Sequence, residues 1–295
     1  SGLDLYANVR PIRLYEGVKH KVHGTFRQVW DHDMVDMVVL RENTEGLYHS
    51  LLRRCADRAA GRDPYEPPEM TFPGLEGEVA YDPRPISKFG SERISRMGFD
   101  IASRRSGAPG HTVSRVTCVD KSNVTRGCQL FRRTFDEVGE GYPNIERDYG
   151  YIDAFMQWIT RNPEHYDVVV SSNMFGDIST DLGAVLQGGM GMAGSANIGD
   201  HHAMFEPVHG SAPKHAGKGI VNPIASISSV QMMLDWLGRR NANDDLVEVA
   251  ELVGMAIADH VREGKQLTYD LGGNASTTDV GSSIAARLSD ALRER

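Results

Sequence analysis

The sequence predicts an α/β fold, in which buried strands alternate with amphipathic helices and polar groups gather at strand ends. Three apolar runs carry that expectation. Val35 to Leu40 is short and rich in β-branched residues, the pattern of a strand buried on both faces. Asp167 to Ser171 and Val113 to Val119 have the same character. Each run delivers chemically capable residues: Arg41 to Gly46 after the first, Asn173 to Asp181 after the second and Asp120 to Asn123 after the third. Sites in α/β proteins form at such strand termini.

Helices are expected between the strands. Ser91 to Arg104 sets Ile94, Met97, Phe99 and Ile101 among charges. Tyr151 to Thr160 carries Ile152, Phe155, Met156 and Ile159 at helical spacing, with Pro163 beyond its end. Pro223 to Leu237 closes at Gly238, and Leu246 to Glu263 stops at Gly264, a residue suited to the left-handed C-terminal position. Residues 59–84 are rich in proline and glycine with little periodicity, and read as a long surface loop or extended excursion at a subunit contact. The chain opens at Leu3 to Tyr6 as if inside a folded element.

A chain of 295 residues with 40% hydrophobic and 24% charged residues has the composition of a globular protein with one large or two moderate domains. Its net charge of −8 argues against nucleic-acid binding, which needs a basic surface; Arg53, Arg54, Arg58 and Arg62 read as a solvated basic loop. Cys55, Cys118 and Cys128 lack C-x-x-C spacing, so neither a disulfide framework nor a zinc site is indicated, and a reducing, cytoplasmic setting is expected. No apolar run approaches the roughly 20 residues that span a bilayer, so no membrane partner is expected.

The candidate chemistry starts with Asp177 and Asp181. On a helix, carboxylates at i and i+4 share a face and can meet one ion. Hard oxygen ligands without His or Cys favour Mg²⁺ or Mn²⁺. Spacing alone better describes acids that complement a helix N-terminus. Asp153, on a separate helix, is a possible third carboxylate. Lys121, at a strand end beside Asn123, could accept a proton if a nearby cation disfavours its ammonium form. Tyr48 could act as a general acid if a cationic neighbour lowers its pKa. Arg10 and Arg41 stand in polar, turn-like surroundings and carry forks suited to carboxylates. Read singly, each of these is also an ordinary structural residue. The segment 206–223, EPVHGSAPKHAGKGIVNP, is dense in Gly, Pro, Ser and His and could bring backbone amides and His209 close to a phosphate or adenine. No G-x-G-x-x-G fingerprint is present.

Taken together, LDLYANVRP (3–11), RENTEGLY (41–48), DKSNV (120–124), YIDAF (151–155), NMFGDISTDLGA (173–184), 206–223 and LTYDLGGNAST (267–277) resemble, in order, the β-decarboxylating dehydrogenases. That family acts on isocitrate, 3-isopropylmalate, homoisocitrate or tartrate/D-malate. The resemblance implies an isocitrate/isopropylmalate dehydrogenase-like α/β fold, with a mixed sheet in a large domain and a smaller α/β dimerisation domain. Residues 6–187 would form the smaller domain with the catalytic residues, and 1–5 with 188–295 the remaining part of the large, cofactor-binding domain. The resemblance further implies that Arg10 and Arg41 bind substrate carboxylates, that Tyr48 protonates the enolate, and that Lys121 acts at the hydroxyl proton. It implies Mg²⁺ or Mn²⁺ on Asp153, Asp177 and Asp181, with Lys121 and Asp153 reaching across a dimer interface in a homodimer or higher homo-oligomer. Asn123 would lie by the nicotinamide, and Glu206, His209, Gly210, Ser211, Ala212, His215 and Asn222 along the adenine and ribose of NAD or NADP.

The chain departs from the family pattern at two places. Relatives carry a further N-terminal segment that completes the large domain and holds an upstream substrate arginine, so the sequence is expected to be part of a longer protein. Lys214 stands where NAD-using relatives place a ribose-binding aspartate, which leans towards NADP, whereas Gly272 and Gly273 stand where NADP-using isocitrate dehydrogenases carry an arginine. RENTEG resembles the isocitrate, homoisocitrate and tartrate/D-malate enzymes, and DKSNV the isopropylmalate enzymes, so the substrate stays open. The competing reading is a non-catalytic regulatory subunit of a heteromeric isocitrate dehydrogenase; such paralogues tend to lose the tyrosine, lysine or aspartates retained here. A truncated, inactive scaffold is the third.

Overall fold

The computed structural model describes residues 3–48, 58–61, 74, 79 and 82–294. Its centre is a seven-stranded sheet made of β1 (Ala7–Arg13), β4 (Asp36–Glu42), β5 (Arg115–Asp120), β6 (Glu146–Tyr151), β7 (Val168–Ser171), β8 (Gly194–Ile198) and β9 (Ala203–Pro207), in the order β6-β5-β7-β4-β1-β8-β9. β6, β5, β7 and β4 run parallel, whereas β1, β8 and β9 join by antiparallel pairing. The sheet is therefore mixed, as the resemblance implied. A separate hairpin pairs β2 (His20–Val22) with β3 (Thr25–Arg27).

The three runs read from sequence are β4, β5 and β7. Every residue of β5 and β7 is buried, which is why they read as unbroken apolar segments. Successive side chains point to opposite faces, and the cores follow that rule. Val38, Leu40, Val168 and Val170 pack on one face with Phe99, Phe131 and Phe135. Ile12, Met37, Val39 and Val169 pack on the other with Phe155, Leu186 and Ile257. By the same alternation Arg10 and Arg41 point to the Ile12 face. In the β1–β4 register Asn8 pairs with Arg41 and Arg10 with Val39, so the two arginines are diagonal neighbours.

Among the described residues the principal helices are α1 (Lys88–Ala102), α2 (Arg126–Gly139), α3 (Ile152–Arg161), α4 (Asn173–Leu186), α5 (Ile224–Arg240), α6 (Asp244–Glu263) and α7 (Thr277–Arg293). α1 starts three residues earlier than expected because the Ser87 hydroxyl accepts the Gly90 N–H at 2.9 Å. α6 starts at Asp244 for the same reason, with Asn243 accepting from Leu246, and ends at Gly264 in the left-handed region as expected. α2 and α7 were not anticipated; α7 opens on a Ser276/Asp279 capping box. The excursion expected at 59–84 lies largely outside the described residues. None of the described helices is long and apolar enough to cross a membrane.

α4 covers the Ile12 face very closely. A Cβ at Gly183 would lie 2.2 Å from Ile12 Cδ1, and one at Gly176 2.7 Å from Arg41 Cβ. Glycines at these positions let the helix lie on the strands, which brings its acidic face over the two arginines.

Candidate active site

Strand β4 ends in Arg41 and Glu42, and Glu42 shapes the turn beyond the strand. Its buried carboxylate accepts the Thr44 N–H at 3.0 Å, the Glu45 N–H at 2.9 Å and the Thr44 hydroxyl at 2.6 Å. This turns the chain so that Tyr48 comes back over Arg41, whose guanidinium lies 5.1 Å from the centre of the phenol ring.

α4 begins beside Arg41 because β7, paired in parallel with β4, ends at Ser171 opposite it. One turn apart, Asp177 and Asp181 face the same way: Arg10 reaches Asp177 Oδ1 at 3.6 Å and Asp181 Oδ1 at 3.9 Å. Arg41 Nη1 also donates to Asp177 Oδ1, and Arg10 Nη1 donates to Thr180 Oγ1. The i, i+4 expectation for the carboxylates is thus met by geometry. Burial, and then the charge of Arg41, lower the pKa of Arg10; Asp177, Asp181 and Glu206 oppose that shift. Arg10 Nε is buried without a hydrogen-bond partner. Two guanidinium groups are held side by side here, and their forks are of the kind that pair with carboxylates.

Tyr48 donates its phenol proton to Asp177 Oδ2 at 2.7 Å. The sequence suggests a cation that lowers its pKa. In the free chain the pKa is instead raised, first by the hydrogen bond to Asp177 and then by desolvation, with Arg41 a lesser opposing influence. Tyr48 therefore holds its proton, and the phenol is 41% exposed and can reach a ligand.

Lys121 and Asp153 are placed elsewhere. Lys121 Nζ donates to Asp153 Oδ1 at 2.6 Å, and this bond holds the Asp153 carboxyl below its usual range. Among the described residues no contact joins either one to Asp177 or Asp181. The three aspartates therefore do not meet within one chain. The one trio of described residues spaced to share a metal ion is Asp31, His32 and Asp33, an exposed turn in which Asp31 accepts the Asp33 N–H. For a divalent cation the α4 pair offers two hard oxygen donors on one helix face, a fitting but incomplete set. Asn123 is exposed in the turn after β5. That turn is fixed by buried Asp120, which accepts the Ser122 N–H at 2.8 Å and is held by Arg132 at 2.8 and 3.0 Å.

The candidate cofactor segment starts on β9. Glu206 accepts from Asn197 Nδ2 at 3.0 Å, and its charge acts on Arg10 in the raising direction, after Asp177 and Asp181. His209, Gly210, Ser211 and Ala212 lie beyond it, with Ala212 in the left-handed region at φ 44°, and Lys214 follows in the 3₁₀ turn Pro213–His215. His215 stacks on Tyr269 with ring centres 6.0 Å apart. Buried Asn222 donates to Asp270 Oδ2 at 3.1 Å, and Thr277 N–H bonds the Gly219 carbonyl at 2.8 Å. Loop 206–223 is thus tied to the 267–277 turn, although the two motifs lie far apart in sequence. At Gly272 the Phe26 ring packs against the backbone.

A cavity of about 1010 Å³ lies on the opposite face of the sheet between α1 and α5, lined by Val9, Val38, Ala196 and Trp236 among others. It contains none of the candidate site residues named above. Sequence reasoning missed Glu42, Asn173, Thr180 and the Asp120–Arg132 pair. All but Arg132 stand in or beside quoted motifs, but their roles are contacts between segments that spacing does not report.

Comparison with known proteins identifies the family. The family model for isocitrate/isopropylmalate dehydrogenase matches residues 1–284. A homoisocitrate dehydrogenase of Methanocaldococcus jannaschii is 38% identical over 286 residues, covering 95% of this chain and 71% of its own length. A 3-isopropylmalate/3-methylmalate dehydrogenase of the same organism is 39% identical, with 97% of this chain and 74% of its own length covered. The crystal structure of isocitrate dehydrogenase from Methylococcus capsulatus superposes with a TM-score of 0.75 at 34% identity, covering 97% of this chain and 74% of that one. The family match and these relatives place the chain among the dehydrogenases. The chain belongs to the isocitrate/isopropylmalate dehydrogenase family, the β-decarboxylating dehydrogenases.

Proposed function

We propose that this chain catalyses the metal-dependent oxidative decarboxylation of a malate-type 2-hydroxy acid, with hydride transfer to NAD(P). The observation that carries the reading is the convergence of Arg10, Arg41, Tyr48, Asp177 and Asp181 from three separate segments onto one corner. Homoisocitrate, 3-isopropylmalate, isocitrate and tartrate/D-malate are the candidate substrates, the first three matching names carried by relatives.

Arg10 and Arg41 bind the substrate's carboxylates and hold it against α4. Asp177 and Asp181 would hold Mg²⁺ or Mn²⁺, which when bound supplies Lewis-acid stabilisation of negative charge on substrate oxygens. Lys121 takes the hydroxyl proton, and Asn123 would help hold the nicotinamide, which when bound supplies the hydride acceptor. After carbon dioxide departs, Tyr48 returns a proton to carbon, a role suited to a phenol that keeps its proton in the free chain.

Lys121 and Asp153 act in the site of a second copy, with residues 6–187 as the dimer-forming domain and 1–5 with 188–295 as part of the cofactor domain. Their mutual ion pair, apart from the α4 carboxylates, supports that arrangement. Glu206, His209, Gly210, Ser211, Ala212, His215 and Asn222 line the adenine and ribose. Exposed Lys214 favours a 2′-phosphate, and the apolar Phe26–Gly272 corner favours NAD; Lys214 tips the reading towards NADP. Cys118 and Cys128 are free thiols, which suits the proposed reducing, cytoplasmic setting. Retention of Tyr48, Lys121, Asp153, Asp177 and Asp181 favours catalysis over a regulatory subunit.

The test is turnover of the purified protein with Mn²⁺, each nicotinamide cofactor and a panel of these acids, following reduced nicotinamide and carbon dioxide together. Equal yields of both with one acid support the proposal. Reduction without carbon dioxide, or no turnover by folded protein with any of them, contradicts it.

A further inference from the structure

We infer that Asn173 is a positioning residue, which locks Arg41, the Tyr48 turn and the acidic helix α4 into one register. The inference deepens the proposed function and rests on it for its catalytic consequence.

Asn173 is the first residue of α4 and is 2% exposed. Its Oδ1 accepts from Arg41 Nε at 2.9 Å and from Arg41 Nη2 at 2.7 Å. Its Nδ2 donates to the Glu45 carbonyl at 2.8 Å. The surroundings dictate the amide's orientation, because a guanidinium only donates and a carbonyl only accepts. The turn also packs on it: a Cβ at Gly46 would lie 3.1 Å from Asn173 Cβ. One side chain therefore joins the end of β4, the turn that leads to Tyr48, and the helix that carries Asp177 and Asp181.

Asparagine suits this position for two reasons. It supplies an acceptor and a donor at once, whereas aspartate lacks the donor and alanine lacks both. It is also neutral, so it orients Arg41 without cancelling its charge. Arg41 Nη1 meets Asp177, and the remaining N–H groups of its terminal nitrogens stay available for a substrate carboxylate. Holding a binding group in place before substrate arrives avoids an ordering cost at the moment of binding.

The experiment compares the parent with Asn173→Ala and Asn173→Asp by hydrogen exchange and by steady-state kinetics with Mn²⁺. Asn173→Ala is expected to speed amide exchange in residues 43–48 while peptides from β5 and α6 exchange as in the parent. Its kcat/KM should fall about 100-fold, as for a reacting group displaced by about 1 Å. Asn173→Asp keeps the acceptor for Arg41 but faces the Glu45 carbonyl without a donor and pairs with the guanidinium charge. It should raise KM for the 2-hydroxy acid about tenfold, a larger effect than on kcat. Exchange in 43–48 equal to the parent's, or kcat/KM within about threefold in an active background, overturns the inference. Selective exchange in a parent that turns over no substrate upholds the structural lock and sinks the proposed function instead. If Asn173→Ala does not fold, Asn173→Asp, of the same shape, decides through its exchange and its KM.

Discussion

Replacing Gly176 with alanine adds one methyl group at the closest approach of α4 to β4. That methyl would lie 2.7 Å from Arg41 Cβ, 3.0 Å from Cγ and 3.1 Å from Cα, where ordinary contact begins at 3.4 Å. Helix and strand must therefore part by about 0.7 Å, because Cα and Cβ cannot rotate away and the interior is close-packed. Overpacking of this kind costs about 1–3 kcal/mol of stability. The larger effect falls on function, since Asp177 follows Gly176 directly and bonds Arg41 across the gap. A displacement approaching 1 Å between catalytic groups lowers kcat/KM about 100-fold, equivalent to about 2.7 kcal/mol. Steady-state kinetics, run well below the melting temperature of the variant, measures it. Gly183→Ala is the control: it strains the same helix, but against the rotatable Cδ1 of Ile12, at 2.2 Å. It should lose stability while keeping more of its kcat/KM. A folded Gly176→Ala protein with parental kcat/KM would refute the claim that helix-to-strand spacing sets the site.

The other expected outcomes concern single groups. Tyr48→Phe removes a partly exposed phenol, so stability should change by less than about 1 kcal/mol while turnover falls about 10²- to 10⁴-fold; parental turnover would remove Tyr48 from the acid role. Mn²⁺ at about 100 times its Kd should stabilise the protein by about 2.7 kcal/mol, and Asp181→Asn should abolish most of that shift in thermal melts; an unchanged shift would place the ion elsewhere. His260 is buried, and burial, with Arg287 a lesser cause, lowers its pKa. The unfolded chain then binds the proton more readily than the folded one, so His260 makes stability fall as pH drops below about 6.5. His260→Gln should melt with a shallower acid dependence than the parent, and identical pH slopes would contradict this. Lys214→Asp should shift the cofactor preference towards NAD, and an unchanged ratio of efficiencies would remove Lys214 from cofactor selection.

How much of the fold is legible in the sequence depends on what each element is made of. β4, β5 and β7 announce themselves because both of their faces are buried. β6, β8 and β9 are short and polar or glycine-containing, and two of them lie at sheet edges, where alternate burial erases the apolar run. β8 is joined to the rest of the sheet by pairing with β1, Ala7 opposite Ile198, a contact that no local pattern contains. The site divides in the same way. Asp177 and Asp181 share a helix face as their spacing required, and the arginines lie beside them. The direction of the Tyr48 pKa shift is hidden from local sequence because the residue that governs it, Asp177, is 129 positions away. Asn173 stands inside a quoted motif without declaring itself, since its role exists only where three segments meet.

Complementation between two disabled variants tests most directly the proposal that two copies share each site. Asp177→Asn and Asp153→Asn proteins, each inactive alone, are unfolded together, refolded as a mixture and assayed with Mn²⁺, cofactor and substrate. In a symmetric dimer that builds each site from Asp177 of one copy and Asp153 of the other, every mixed dimer holds one intact site. Random pairing then restores about a quarter of parental activity. No recovery, with mixed dimers demonstrated by mass spectrometry, would contradict a site completed by a second copy.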